Sequence, residues 1–174
     1  MRPFLFGLMT IRWHAIELDA NTIDQWRLQT PCGQLIVSTQ KGIITDIAWS
    51  EGQTSPTTKA GQPLRQKFLD YFNNPNAQID WDLAIQGTDF QKRVWQAMSG
   101  IPPGRTVAYG ELARQLGSSP RAIAQACRRN PYPIVIPCHR VIGRRGLGGY
   151  CGETSGTFPA IKHWLLRHEG WRGC

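Results

Sequence analysis

The sequence predicts an α+β protein of two domains, with an α/β-like first half. A small antiparallel sheet with helices spans residues 1–87, and a mostly helical domain with a helix-turn-helix spans residues 88–174. Three observations predict it. Apolar and β-branched residues alternate with period two between Gln25 and Trp49, interrupted by turn residues. After Thr88 the apolar period becomes helical. The charge also divides there, with 7 Lys and Arg against 8 Asp and Glu up to Thr88 and 13 against 4 beyond it.

The alternating segment reads as three strands, Gln25–Thr30, Gln34–Thr39 and Ile43–Trp49, joined by turns at Pro31-Cys32-Gly33 and Gln40-Lys41-Gly42. Such short links make an antiparallel meander. Polar residues from Ser50 to Gln62 read as a loop, and Pro63 opens a helix from Leu64 to Phe72, with Leu64, Phe68 and Phe72 on one face. Ile79 to Leu83 is a candidate further strand, and no pattern places the first 20 residues. Thr88 and Gln91 have the spacing of a capping box ahead of the stripe Phe90, Val94, Trp95 and Met98. Tyr109 to Leu116 reads as a helix stopped by Gly117. Ser119 then caps a helix from Arg121 to Arg129, with Pro120 in its first turn. Two short helices across a Gly-containing turn are a helix-turn-helix candidate. Ile134-Val135-Ile136 reads as a strand-like run, Gly143 to Thr157 as a loop, and Phe158 or Pro159 to Glu169 as the last helix.

The five cysteines are an odd number without a CxxC pair, which disfavours both a disulfide framework and a zinc module. Reduced thiols, no metal, no cofactor and a cytoplasmic location are expected. Phe4 to Met9 is too short for a secretory signal, and no run approaches the roughly 18 apolar residues of a membrane span. No membrane partner is expected. Between Glu111 and Glu153 there is no acidic residue but there are seven arginines: Arg114, Arg121, Arg128, Arg129, Arg140, Arg144 and Arg145. That is a footprint for phosphates.

Pro137-Cys138-His139-Arg140-Val141 puts a thiol beside an imidazole and a guanidinium after an apolar run. A cationic or hydrogen-bonding neighbour favours the thiolate, which is the nucleophile; an inert core cysteine with a packed histidine fits the same residues. This run, with TDFQKRVWQAMSGIPPGRTVAYGELARQLG from Thr88 to Gly117, then SPRAIAQACRRNPYPI and WLLRHEG, resembles in order and spacing the O6-alkylguanine-DNA alkyltransferase family. The resemblance is strong from Asp89 onward and weaker from about residue 25.

The resemblance implies direct DNA repair, in which a monomer binds the minor groove of duplex DNA and flips out an O6-alkylated guanine. The alkyl group then moves once and irreversibly to the protein's own cysteine, with O4-alkylthymine a further candidate substrate. Cys138 matches the acceptor, His139 the neighbour that activates it through water, and Glu169 the carboxylate that orients the imidazole. Asn130 matches the residue that braces the helix-turn-helix against the active-site segment. Tyr109 matches a ring that helps rotate the nucleotide and donates to guanine N3. Tyr150 matches a pocket wall, Cys151 a residue whose N–H reaches O6, and Val141 and Cys138 carbonyls that accept from the exocyclic amine. Arg121 matches the finger that fills the vacated base stack, ahead of the small residues Ala122, Ala124 and Ala126 on the recognition helix. Arg128-Arg129 stand where a glycine is common and are expected to strengthen phosphate binding. The run from Cys151 to His163 is longer than the commonest pattern, which implies a differently shaped pocket loop.

Three other readings fit parts of this pattern. An alkyltransferase-like protein that clamps damage without repairing it lacks the cysteine that stands here at 138. A transcription factor would use the same helices to read one operator, and a cysteine hydrolase would turn over many times.

Overall fold

The computed structural model describes residues 9–50, 61–144 and 146–173. Most of the expected loop after Ser50 lies outside these residues, as does Arg145. The described residues group into two compact units, one ending at Gln86 and the other starting at Gly87.

Among its described residues, the first unit holds five strands and one α-helix. Strands β2 (Asp24–Thr30), β3 (Gly33–Gln40) and β4 (Ile43–Ser50) form the expected antiparallel meander, in register Trp26↔Val37 and Leu28↔Leu35 between β2 and β3. Helix α1 (Gln62–Asn73) follows, and β5 (Ile79–Ala84) then returns parallel to β4. Strand β1 (Met9–His14) pairs parallel to β5 along its whole length, giving the order β1-β5-β4-β3-β2. The sheet is therefore mixed, not purely antiparallel. The crossover through α1 makes the returning strand parallel. Phe68 of α1 packs on Trp26 and on Trp81, with ring centroids 6.2 and 4.8 Å apart. The buried face of α1 is Leu64, Phe68 and Tyr71, whereas Phe72 is only partly buried. With 3.6 residues per turn, i+7 stays closer to the first residue's azimuth than i+8.

The second unit is built on helices α2 (Asp89–Ser99), α3 (Tyr109–Gln115), α4 (Pro120–Arg128) and α5 (Thr157–His168). Thr88 and Gln91 form a reciprocal capping box on α2, and the Ser119 hydroxyl accepts from the Ala122 N–H at the start of α4. Gly117 turns the chain between α3 and α4 at φ +62°. Trp95 of α2 donates its indole N–H to the Ala126 carbonyl at 2.9 Å, which ties α2 to α4.

The run Ile134-Val135-Ile136 is buried but not a strand; it is a series of turns in which Ile134 has φ +76°. Pro131, Pro133 and Pro137 remove three backbone donors and fix φ, so no ladder can run through the segment. The ladder in this unit is instead a short parallel pair, β6 (Val107–Ala108) with β7 (Val141–Ile142).

Candidate active site

The proline-punctuated segment presents Cys138. Pro137 sits at φ −81°, ψ 66°, and the Cys138 N–H bonds back to the Ile136 carbonyl at 2.8 Å. This is an inverse γ-turn. A single 3-10 turn, Cys138–Arg140, carries thiol, imidazole and guanidinium inward; these side chains are all buried. Asn130, just past α4, braces this turn: its Nδ2 donates to the Ile136 carbonyl at 2.8 Å, and its Oδ1 accepts from the Tyr132 N–H at 3.0 Å.

His139 and Glu169, thirty residues apart, meet in the core. His139 Nε2 stands 2.8 Å from Glu169 Oε1, and neither side chain is exposed. Arg140 grips the same carboxylate with two bonds, Nε to Oε2 at 2.9 Å and Nη2 to Oε1 at 2.8 Å, and donates through Nη1 to the Ile101 carbonyl. Burial by itself would raise the Glu169 carboxyl, but His139 and Arg140 outweigh it and hold the group well below the ordinary carboxylate range. Burial lowers His139 from its usual value, against the opposing pull of Glu169.

These directions fix the imidazole's proton. An ionised carboxylate only accepts, so a neutral His139 must carry its hydrogen on Nε2. His139 Nδ1 is then a bare base, and it is buried without a hydrogen-bond partner among the described residues.

A cavity of about 250 Å³ opens beside Cys138, lined by Tyr109, Ala124, Cys127, Arg128, Tyr150 and Cys151 among others. Burial pushes the Cys138 thiol up, opposed by Asn130, Lys162 and Tyr150. Burial and the nearby Cys127 and Cys138 push the Tyr109 phenol far up, so it remains a donor. The wall from Gly149 onward is shaped by a tight turn: Tyr150 and Glu153 exchange two backbone bonds of 2.8 and 2.9 Å around Cys151 at φ +49° and Gly152 at φ +88°. Two successive left-handed residues define a type I′ turn. A Cβ at Gly149 would lie 2.5 Å from the Glu153 carbonyl oxygen, and one at Gly152 would lie 2.7 Å from Arg128 Nε.

The structure thus brings together Cys138, His139, Glu169, Asn130, Tyr109, Tyr150 and Cys151. Val141 is buried nearby, and its carbonyl already accepts from Lys162 at 2.7 Å. On α4, Arg121 and Arg128 are exposed, as is Arg129 at its C-cap; Ala122 is half-buried, and Ala124 reaches the cavity. Ala126 departs from expectation: it is 2% exposed and turned into the core beside Ile123, so its side chain cannot meet DNA. Steps of two along a helix rotate about 200°, so Ala122, Ala124 and Ala126 do not share one face. Arg140 likewise leaves the phosphate footprint, being 3% exposed and spent on Glu169. Lys162 escaped sequence reasoning. The signal was a lysine inside the apolar stripe Ile161, Leu165 and Leu166 of α5. Among the described residues no cluster of three or more His, Cys, Asp or Glu could hold a metal ion, and no helix is long and apolar enough to cross a membrane.

Fold and site together define an α+β protein that sets a thiol, an imidazole and a carboxylate under a cavity beside a pair of short helices. The model for the 6-O-methylguanine DNA methyltransferase, DNA binding domain, matches residues 89–171. The methylated-DNA–protein-cysteine methyltransferase of Salmonella typhimurium is 47% identical over 123 residues, covering 68% of each chain. The constitutive enzyme of that name from Bacillus subtilis is 35% identical over 155 residues, 81% of this chain and 92% of its own. The crystal structure of Mycobacterium tuberculosis O6-methylguanine methyltransferase superposes with a TM-score of 0.72 at 32% identity, covering 87% of this chain and 95% of that one. Mycobacterium tuberculosis OGT in complex with DNA gives 0.71 at 35%, covering 82% and 90%. The chain belongs to the methylated-DNA–protein-cysteine methyltransferase family.

Proposed function

We propose that this chain repairs duplex DNA as a monomer by flipping an O6-alkylated guanine into the cavity beside Cys138 and taking the alkyl group onto that sulfur, once per molecule. The observation that carries this reading is the buried line His139 to Glu169, which leaves Nδ1 as a bare base on the residue that follows Cys138, whose thiol lines the cavity. Burial keeps Cys138 protonated at rest, so the reaction begins with loss of its proton, relayed through water to Nδ1. Glu169 then faces an imidazolium and stabilises it. The thiolate attacks the alkyl carbon, a C–S bond forms, and the C–O6 bond breaks with its electron pair passing to the purine. The Tyr109 hydroxyl, held protonated by burial, donates toward guanine N3 as negative charge grows there. The proton taken by His139 finally balances the guanine anion. A thioether is not hydrolysed, so nothing regenerates the thiol.

Residues 88–174 carry this chemistry and the DNA contacts. The pair α3 and α4 acts as a helix-turn-helix laid in the minor groove, with Arg121 at the start of α4 filling the space that the extruded base leaves. Arg128 and Arg129 hold phosphates. Tyr150 walls the base, the Cys151 N–H meets O6, and the Val141 and Cys138 carbonyls receive the exocyclic amine. Replacing Cys138 with Ser tests the assignment. Affinity for an O6-methylguanine duplex should persist, because the exposed arginines remain, and transfer should vanish. Transfer that survives the replacement would sink the reading.

A further inference from the structure

Beneath the same cavity lies a cation with no carboxylate partner among the described residues. Lys162, on the inward face of α5, is wholly buried. Its Nζ donates to the Val141 carbonyl at 2.7 Å and the Gly149 carbonyl at 3.1 Å, and stands 5.8 Å from the centre of the Tyr109 ring. An ammonium has three donors, and two carbonyls are all the acceptors it finds among the described residues. No Asp or Glu of those residues forms an ion pair with it, unlike Arg140, which is matched by Glu169. A buried, unpaired cation is expensive, and its placement at a cavity calls for a compensating anion.

The groups that can supply one are thiols. Cys127, Cys138 and Cys151 line the cavity, and each favours the charged form of Lys162, Cys138 most of all. Cys127 has its sulfur on the Met98 thioether at 3.4 Å, and Cys151 is exposed to solvent. Cys138 is the buried one, and Asn130 and Tyr150 also favour its thiolate.

We infer that Lys162 is the counter-cation of the Cys138 thiolate, balancing the charge that appears on sulfur as its proton leaves while tying the Val141 backbone to the Gly149 end of the pocket loop. This rests on Cys138 being the nucleophile. Lys162 touches neither sulfur nor base; it is a positioning residue that acts through its charge and its two carbonyl bonds. Burial brings its ammonium down to about 8, so its charge, and with it the support for the thiolate, fades as pH rises through that region.

The coupling can be read from the rate at which iodoacetamide alkylates Cys138, followed peptide by peptide, because that rate tracks the thiolate fraction. At about pH 7, where the Lys162 ammonium is still charged, Lys162→Met should slow the reaction about tenfold, with Cys32 as the unmoved control. In the parent protein the rate should climb less steeply than about tenfold per pH unit as Lys162 loses its charge near pH 8. A full climb of about tenfold per unit through that region overturns the inference, and that measurement stands even if Lys162→Met does not fold. Both measurements are independent of alkyl transfer. Loss of coupling with transfer intact therefore removes only this inference, whereas coupling without transfer to Cys138 removes the proposed function.

Discussion

Arg140 and Glu169 form the tightest electrostatic knot in the second unit. Two charges removed from water are tolerated here because the guanidinium matches the carboxylate with two parallel bonds and spends a third on the Ile101 carbonyl. Removing one partner strands the other, so Arg140→Met should destabilise the protein by about 3–5 kcal/mol in urea unfolding while leaving the salt dependence of DNA binding unchanged. The pH profile supplies a second readout. A carboxyl held below its unfolded value contributes stability that is complete above about pH 4.3 and is lost as pH falls toward its folded value. Arg140→Met, retaining only His139 beside Glu169, should lose less stability over that acid range. A profile parallel to that of the parent protein would show that Arg140 does not hold Glu169 in its ionised form. In the sequence Arg140 looked like one more arginine of a basic stretch, because burial and the thirty-residue reach to Glu169 leave no local trace. Cys138, His139 and Glu169 were legible only through the ordered motifs around them, and Lys162 only as an odd residue in an apolar stripe.

At the scale of elements, local signals were read well where local forces decide. The capping box at Thr88, the Ser119 cap, the Gly117 stop and the three-strand meander depend on neighbours within a few residues, and each stands where its residues predict. Strand β1 was not legible, because it is defined by a partner seventy residues away through pairs such as Thr10↔Asp80, with Arg12 bonded to both Asp80 and Asp82. The run before Cys138 departs from a strand for the opposite reason: its apolar residues are buried as a strand's would be, but Pro131, Pro133 and Pro137 forbid a ladder. The pocket loop gives the element-scale prediction. Since a Cβ at Gly149 would meet the Glu153 carbonyl oxygen at 2.5 Å, Gly149→Ala must open the Tyr150–Glu153 turn and shift the Lys162 acceptor. Transfer from O6-methylguanine duplex should slow by tenfold or more, roughly one 1.4 kcal/mol step in the barrier, with duplex affinity nearly unchanged. Equal losses in affinity and rate would place the loop's role in binding.

Across the whole chain, the charge separation argues for a polyanion. The first half is nearly neutral, and the second gathers 13 of the 20 basic residues against 4 acidic ones. Of the seven arginines between Glu111 and Glu153, the described and exposed ones are Arg114, Arg121, Arg128, Arg129 and Arg144. Binding driven by phosphates weakens steeply with salt, with a slope of about −0.9 per phosphate neutralised, and is indifferent to sequence. Arg129→Ala should make that slope shallower by about one and leave discrimination between lesioned and intact duplex as it was. A duplex sequence bound orders of magnitude tighter than others would favour an operator-reading factor.

The central claim is that one thiol takes one alkyl group. Its most direct test is the intact mass of the protein after incubation with excess O6-methylguanine duplex, followed by peptide mapping. A gain of a single methyl group per chain is expected, located on Cys138, with no further product as duplex is added. Methyl found on Cys127 or Cys151, or repaired guanine accumulating beyond one equivalent, would contradict it.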